Sequence, residues 1–390
     1  MLRRLTIRDF RNFERVDADI PEGGLAIVGE NGHGKTNFLE AISYLALLRS
    51  SRGARDADVV RFGAPAFHVR AELAPPAAVR EVSVAYERAT KRKKAVLDNV
   101  EHSRLSDALA TLPSVCFSPI DVALVAGGPA DRRRYLDVTL ALSLPRYLAA
   151  AQQYRGALRQ RNAALRAAQR SGTRGALRGP LVGGADSASH EPRVVVWEPM
   201  LAQHGAVLAA ARERWCVSHA ATFSALCAAI GEHAPVTMRY ASGGERTTPG
   251  VGVSRTEQEF ATAYTAAFEQ QRGHELRRGV SLVGPHRDEL QLLLGARELR
   301  TFGSAGQQRS AAIALRMLEL ETLRDAIGAT PLLLLDDPFA ELDTRRSTRI
   351  LGLLEDAGVG QVLIAVPRPE DIPAAFTRLE RRTMENGMLR

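Results

Sequence analysis

The chain has little cysteine: three residues in 390, Cys116, Cys216 and Cys227, an odd number without C-x-x-C spacing. That count and spacing exclude a disulfide framework and a cysteine zinc site, and a reducing cytoplasm is the expected compartment. Long apolar runs are absent too. No stretch approaches the ~18 consecutive apolar residues needed to span a bilayer, and the opening MLRRLTIRDFRNF lacks the apolar core of a signal peptide, so neither membrane insertion nor export is expected. Aromatic residues make up only 5%, and lysine is nearly missing: Lys35, Lys91, Lys93 and Lys94 are the only lysines among 52 basic residues. Set against 44 acidic residues, this gives a net charge of +8, a balance that favours a nucleic-acid partner. Arginine bias also tracks codon composition, so location says more than the total. Between 131 and 170 nine arginines stand against Asp131 and Asp137 alone. The 45% hydrophobic content is ordinary for a globular protein, and the length suits two or three domains.

What is present is a phosphate-binding pattern. GENGHGKT at 29–36 matches G-x-x-x-x-G-K-[ST] at every fixed position, and the apolar run Leu25, Ala26, Ile27, Val28 reads as the strand leading in. Phe38, Leu39, Ile42 and Leu45 fall at helical spacing behind it. Glycines at 29, 32 and 34 let the backbone pass close around phosphates at a helix N-terminus, where the macrodipole favours an anion. The candidate ATP-binding residues are therefore Gly29, Glu30, Asn31, Gly32, His33, Gly34, Lys35 and Thr36, with Lys35 on the β- and γ-phosphates and Thr36 on Mg²⁺. His33 occupies a variable position and carries no expected chemistry.

A second motif lies far downstream. PLLLLDDPFAELD at 331–343 reads as a buried strand followed by Asp336 and Asp337, a Walker B pattern in which the first aspartate serves Mg²⁺ and the second polarises the attacking water. Upstream of it, FGSAGQQRSAAIALRMLELETLRDA at 302–326 is a Gly-Ser turn entering an amphipathic helix with Ile313, Leu315, Leu318 and Leu320 among its apolar positions. SAGQQ resembles the signature of ABC-type ATPases, which implies that Ser304, Gly306 and Gln307 meet the nucleotide of an opposite protomer.

Gly34 and Ser304 are 270 positions apart, more than loops can absorb, so a domain must be inserted. Within it Tyr154, Leu158 and Leu165 fall on one helical face and Arg155, Arg159, Arg166 and Arg170 on another, a stripe of about 22 Å with no acidic residue in its path. A solvated face is the plain alternative, but the lack of acidic partners favours a polyanion, and these arginines are the candidate DNA contacts. Residues 171–193 read as a flexible tip, helix resumes near Val194, and 240–256 reads as a polar loop. The segment 81–99 reads as a hairpin turning through Thr90 to Lys94, with a basic tip of Arg88, Lys91, Arg92, Lys93 and Lys94. The expected fold is α/β: an ABC-type P-loop ATPase head from 1–125 and 275–390, with a mainly helical arm inserted at 126–274.

Taken with RDFRNF at 8–13, LPSVCFSPIDVALVAGGPADRRRYLD at 112–137, QRNAALR at 160–166 and LVGPHRDEL at 282–290, these motifs make the chain resemble the RecF family of bacterial recombination-mediator ATPases, related to the heads of structural-maintenance-of-chromosomes proteins. The resemblance runs nearly the whole length. It implies an ATP-dependent homodimer with slow hydrolysis, binding DNA at single-strand to double-strand junctions and helping RecO and RecR load RecA. It also implies catalytic roles for Lys35, Asp336 and Asp337, metal contacts from Thr36 and Asp336, and a D-loop at Glu341, Leu342 and Asp343 in which Ala340 replaces the usual serine. Where the family places a His or Thr that senses the γ-phosphate, this chain has Ala365 or Val366, with Arg368 the nearest substitute, and no Q-loop glutamine is identified. Two other readings share part of this pattern: a transporter-type ATPase subunit, which has no use for a basic helical insert, and a structural protein in which nucleotide merely stabilises a dimer.

Overall fold

The computed structural model describes residues 1–75, 77–176, 191–243, 254–340, 342–358 and 360–390, with side chains described up to 170 in the third helix introduced below. The chain divides into two compact units. One comprises Met1–Val122, Ala229–Gly231 and Ala312–Arg390, the other Ala123–Ala228 and Glu232–Ala311.

In the first unit, alternation of apolar and polar residues makes strands that bury one face. Strands β1 (Leu2–Phe10), β2 (Phe13–Asp19), β4 (Ala66–Leu73), β5 (Glu81–Glu87), β6 (Arg92–Leu97) and β7 (Val100–Glu101) form one sheet, and its neighbouring strands pair antiparallel. A second sheet has the order β15-β14-β3-β13-β12-β8, built from β3 (Gly24–Val28), β8 (Ser114–Phe117), β12 (Leu332–Asp336), β13 (Val362–Val366), β14 (Glu380–Glu385) and β15 (Met388–Leu389). Its β14, β3, β13, β12 and β8 run parallel, and the central β3, β13 and β12 read as the near-continuous apolar runs expected of buried parallel strands, whereas β14 is polar and largely exposed.

Helix α1 (Lys35–Leu47) is buried on all sides through Phe38, Leu39, Ala41, Ile42, Tyr44 and Leu45, and shares one core with both sheets. Phe10, Tyr44 and Phe67 meet edge to face within it. The buried Gln361 side chain clamps the two sheets together: it accepts from the Leu2 amide at 2.8 Å and donates to the carbonyls of Leu2 at 2.7 Å and Pro21 at 2.8 Å. Helix α7 (Thr344–Asp356) also belongs to this unit.

The second unit holds helices α2 (Pro129–Ser143), α3 (Pro145–Ala176), most of α4 (Glu198–Ile230) and α5 (Glu257–Arg278), with a small sheet of β9 (Val236–Ala241), β10 (Glu289–Leu294) and β11 (Arg297–Glu298). Its core carries charge. Arg161, fully buried, donates to Glu275 at 2.6 Å, Glu198 at 2.8 Å and Ser281 at 2.9 Å. Arg212, also buried, donates to Asp137 at 2.7 Å and to the Pro285 carbonyl at 2.7 Å. Removing one partner from such a network is costly, because the remaining charge stays dry. The segment Glu191–Ile230 is long and apolar enough, by length and composition, to cross a bilayer, which the sequence pattern alone did not indicate. Half of its most apolar window is buried, and Glu198 and Arg212 lie within the segment, the character of a core helix.

The expected boundary at 275 needs correction, since residues 275–311 belong to the second unit. The reason is hydrogen bonding within that unit: the amides of Leu282 and Val283 donate to Glu275, and β10 pairs with β9. Helix α6 (Ala305–Ile327) starts in this unit and continues into the first. Tyr240 and Ala241, expected in a polar loop, end β9. Residues 244–253, like 177–190 of the expected flexible tip, lie outside the described residues.

Candidate nucleotide-binding site

Strand β3 delivers the chain into the 29–36 loop, and α1 leaves it. Gly34 sits at φ 114°, and a Cβ there would stand 2.7 Å from the Asn12 amide nitrogen; at Gly29 a Cβ would stand 2.3 Å from the Met384 carbonyl oxygen. Both positions therefore require glycine. Lys35 folds over the loop and donates to the carbonyls of Gly29 at 2.5 Å and Glu30 at 3.0 Å. Thr36 Oγ1 donates to Asp336 Oδ1 at 2.9 Å across 300 residues of sequence, which joins the two motifs in one place. Ser118, just after β8, lies on the other side of that carboxylate, its Oγ 3.5 Å from Oδ2. Asp337 holds φ 45°, a left-handed conformation that aspartate tolerates better than most residues, and its amide donates to the Ala365 carbonyl at 2.9 Å.

Lys35, Thr36, Asp336 and Asp337 line a cleft of about 340 Å³ with Asn31, Gly32, Gly34, Asn37, Arg52, Pro119 and Pro367. Burial pulls Lys35 below its usual pKa, opposed by the charges of Asp336 and Asp337. Burial raises the Asp336 carboxyl, the Thr36 hydroxyl opposes that rise, and Asp337 reinforces it. The site thus concentrates two carboxylates and a desolvated ammonium in one small cleft.

The family described as RecF/RecN/SMC N terminal domain matches residues 1–389. The chain belongs to the RecF family. It is 37% identical over 388 residues to the DNA replication and repair protein RecF of Rhodococcus erythropolis, covering 95% of this chain and 90% of that protein. It is 35% identical over 405 residues to that of Roseiflexus castenholzii, covering 99% and 98%. Among solved structures it is similar to the recombination mediator protein RecF-ATPrS in the RecFOR pathway, with a TM-score of 0.83, 24% identity and coverage of 100% and 97%. A Smc head domain from Pyrococcus furiosus follows at a TM-score of 0.52 and 16% identity, covering 100% and 95%. The fold is the RecF/SMC head, an ABC-type α/β ATPase fold.

In this RecF-family chain the predicted residues are not all in the cleft. Gly29 and Glu30 contribute carbonyls to Lys35, and His33 turns away from the cleft, its ring nitrogen accepting from the Asn386 amide at 3.4 Å. Ser304 caps α6: its hydroxyl accepts from the Gln307 amide at 3.3 Å, and the Gln307 side chain accepts from the Ser304 amide at 2.9 Å. Ser304 is exposed and Gly306 half-buried in the first turn behind it. Asp343 caps α7 by accepting from the Arg346 amide at 2.9 Å, while Glu341 lies outside the described residues. Ala365 is fully buried in β13 beside Asp336, and Arg368 is exposed and engaged with Asp371 at 3.1 Å.

Two basic features need correction. The hairpin turns before Arg92, and two of its three lysines are paired: Lys93 with Asp56 at 2.7 Å and over the Tyr44 ring, Lys94 with Glu101 at 3.0 Å. In the arginine stripe, Arg155 pairs with Asp137 of α2 at 3.0 Å, a partner that helical spacing cannot reveal. Arg159, Arg166 and Arg170 are exposed.

Arg52, Ser118 and Arg11 were not foreseen as site residues. Arg52 donates to Asn37 at 3.2 Å and lies 3.6 Å from buried Glu40, which also holds Arg11 through two hydrogen bonds of 2.8 and 2.9 Å. The signal was RDFRNF itself: a charged motif between two strands, whose Arg11 neutralises a carboxylate on the phosphate-loop helix.

Proposed function

We propose that the chain is an ATP-dependent DNA-binding dimer of recombinational repair that engages gapped DNA or single-strand to double-strand junctions. In this reading it acts with RecO and RecR in the cytoplasm to help load RecA, and slow, DNA-stimulated hydrolysis resets it. The observation that carries the ATP reading is the hydrogen bond between Thr36 and Asp336, which closes the loop motif onto the acidic strand beside Lys35. Relatives named as DNA replication and repair proteins at 35–37% identity support the repair context.

The donor set fits Mg²⁺. Thr36 and Asp336 offer hard oxygen atoms 2.9 Å apart, about the spacing of two adjacent ligands on a cation with bonds of ~2.1 Å. Thr36 and Asp336 would hold it, and its chemistry would be charge neutralisation on the β- and γ-phosphates. Lys35 leaves the carbonyls of Gly29 and Glu30 for the phosphates, Asp337 polarises the attacking water, and Ser304, Gly306 and Gln307 complete the partner protomer's site. Slow turnover follows from the apolar Ala365 and Val366 where a polar switch residue is usual. That same feature favours a second reading, a dimer stabilised by nucleotide without significant hydrolysis.

Gel-shift titration of gapped DNA with ATP, ADP and no nucleotide tests the proposal. It requires the tightest binding with ATP; binding that ignores nucleotide would overturn the coupling. Phosphate release measured with and without DNA separates the two readings.

A further inference from the structure

His33 occupies a position that the phosphate-binding pattern leaves open, yet its carbonyl and its ring are both held from outside the loop. The carbonyl accepts from the Asn12 side-chain amide at 3.2 Å and from the Gly387 backbone N–H at 3.0 Å. The ring nitrogen Nδ1 accepts from the Asn386 N–H. Asn12 is itself fixed, because its Oδ1 accepts from Asn37 on α1 at 2.7 Å.

Asn386 and Gly387, at φ 48° and 77°, form the two-residue turn between β14 and β15, closed by the Glu385–Met388 pair. Two left-handed residues in an Asn-Gly sequence are what a type I′ hairpin turn needs. The same hairpin runs beside the loop's first glycine, since β14 pairs with β3 and the Met384 carbonyl leaves no room for a side chain at Gly29.

The consequence lies in one peptide plane. In a trans peptide the C=O and the following N–H point in opposite directions. Fixing the His33 carbonyl toward Asn12 and Gly387 therefore aims the Gly34 N–H the other way, and Gly34 lines the cleft. We infer that Asn12 and the Asn386-Gly387 turn are positioning residues for the phosphate loop: acting through His33, they keep a backbone donor of the loop aimed at the phosphates of the nucleotide. This rests on the reading that the loop binds ATP.

The test compares full-length wild type, Asn12→Ala, Gly387→Ala, their double variant and Gly295→Ala. Gly387→Ala forces a Cβ onto φ 77°, 3.2 Å from the Asn12 carbonyl oxygen. Gly295, at φ 58° in the β10–β11 hairpin with nothing within 4 Å of its would-be Cβ, supplies the same backbone strain in a hairpin of the other unit. Calorimetry with Mg-ATP, and separately with ADP, should show affinity about fivefold weaker in each of Asn12→Ala and Gly387→Ala, the scale of one hydrogen bond removed. The double variant should fall short of the product, because both donors share one acceptor. Amide exchange across 29–36 without nucleotide should quicken in both single variants. Gly295→Ala should lose thermal stability but keep wild-type affinity and wild-type exchange in the loop. Affinities and loop exchange in Asn12→Ala and Gly387→Ala equal to those of Gly295→Ala overturn the inference. If wild type itself fails to bind ATP, the nucleotide reading fails, and the loop-exchange comparison alone decides whether the brace exists.

Discussion

At the scale of single residues, the site is governed by how few charges share a small desolvated space. Lys35 is the one ammonium lining the cleft, held by two loop carbonyls. Lys35→Ala should weaken ATP binding by about 100-fold, the upper scale for a charge-assisted hydrogen bond. Calorimetry checks this, and undiminished affinity would remove the loop from the nucleotide site. Lys35, Thr36, Asp336 and Asp337 were legible in the sequence because each occupies a fixed place in a motif whose chemistry demands it. Arg52, Ser118 and Arg11 were not. They reach the site through strand order and a buried carboxylate, Glu40, and linear spacing carries neither. The sequence did single out Ala365 and Val366 as an apolar stretch where a polar switch is usual, and both prove buried in β13.

At the scale of elements, pairing across helices decides which arginines remain available to a ligand. The periodicity of 154–170 placed the stripe on one helix, but Asp137 comes from α2, and only the fold brings it to Arg155. Replacing Arg159, Arg166 and Arg170 with alanine should lower the slope of log affinity against log salt for DNA by about 0.9 for each phosphate that these side chains neutralise. Adding Arg155→Ala should change that slope less than the others do. An unchanged slope in the triple variant would make the stripe a solvated face.

The GPHRDE segment, recognised only as a family motif, is explained by burial. His286 accepts from Tyr154 at 2.7 Å, and its other ring nitrogen donates to the Ser281 carbonyl at 3.1 Å, so the neutral ring fits. Burial depresses its pKa to about 4. A depressed histidine binds its proton more tightly in the unfolded chain, so stability is fully present above the ordinary value near 6.5 and is lost as pH falls from there toward 4. The loss amounts to about 3 kcal/mol at most across that window. Thermal melts from pH 7 to 4 should show it in wild type and a flatter profile in His286→Gln; parallel profiles would refute it.

At the scale of the whole molecule, the distance between motifs led to the expectation of an inserted domain, and the second compact unit runs on to Ala311 rather than ending near 275. The segment 275–311 carries motifs of the ATPase head yet packs with the arm unit, and no composition shift marks that join. In the function proposed above, ATP assembles two copies through the start of α6. Ser304 is exposed there with its hydroxyl already capping the helix, so a bulky side chain at that position would obstruct an approaching phosphate while leaving the copy's own cleft intact. Asp337→Asn keeps the shape of the acidic pair and removes the carboxylate proposed to polarise water. The dimer should therefore persist with ATP in Asp337→Asn and dissociate as hydrolysis proceeds in wild type. Light scattering of Ser304→Arg and Asp337→Asn at saturating ATP is the decisive measurement: monomer is expected for the first and dimer for the second, and equal dimer populations in the two variants would rule out assembly through the start of α6.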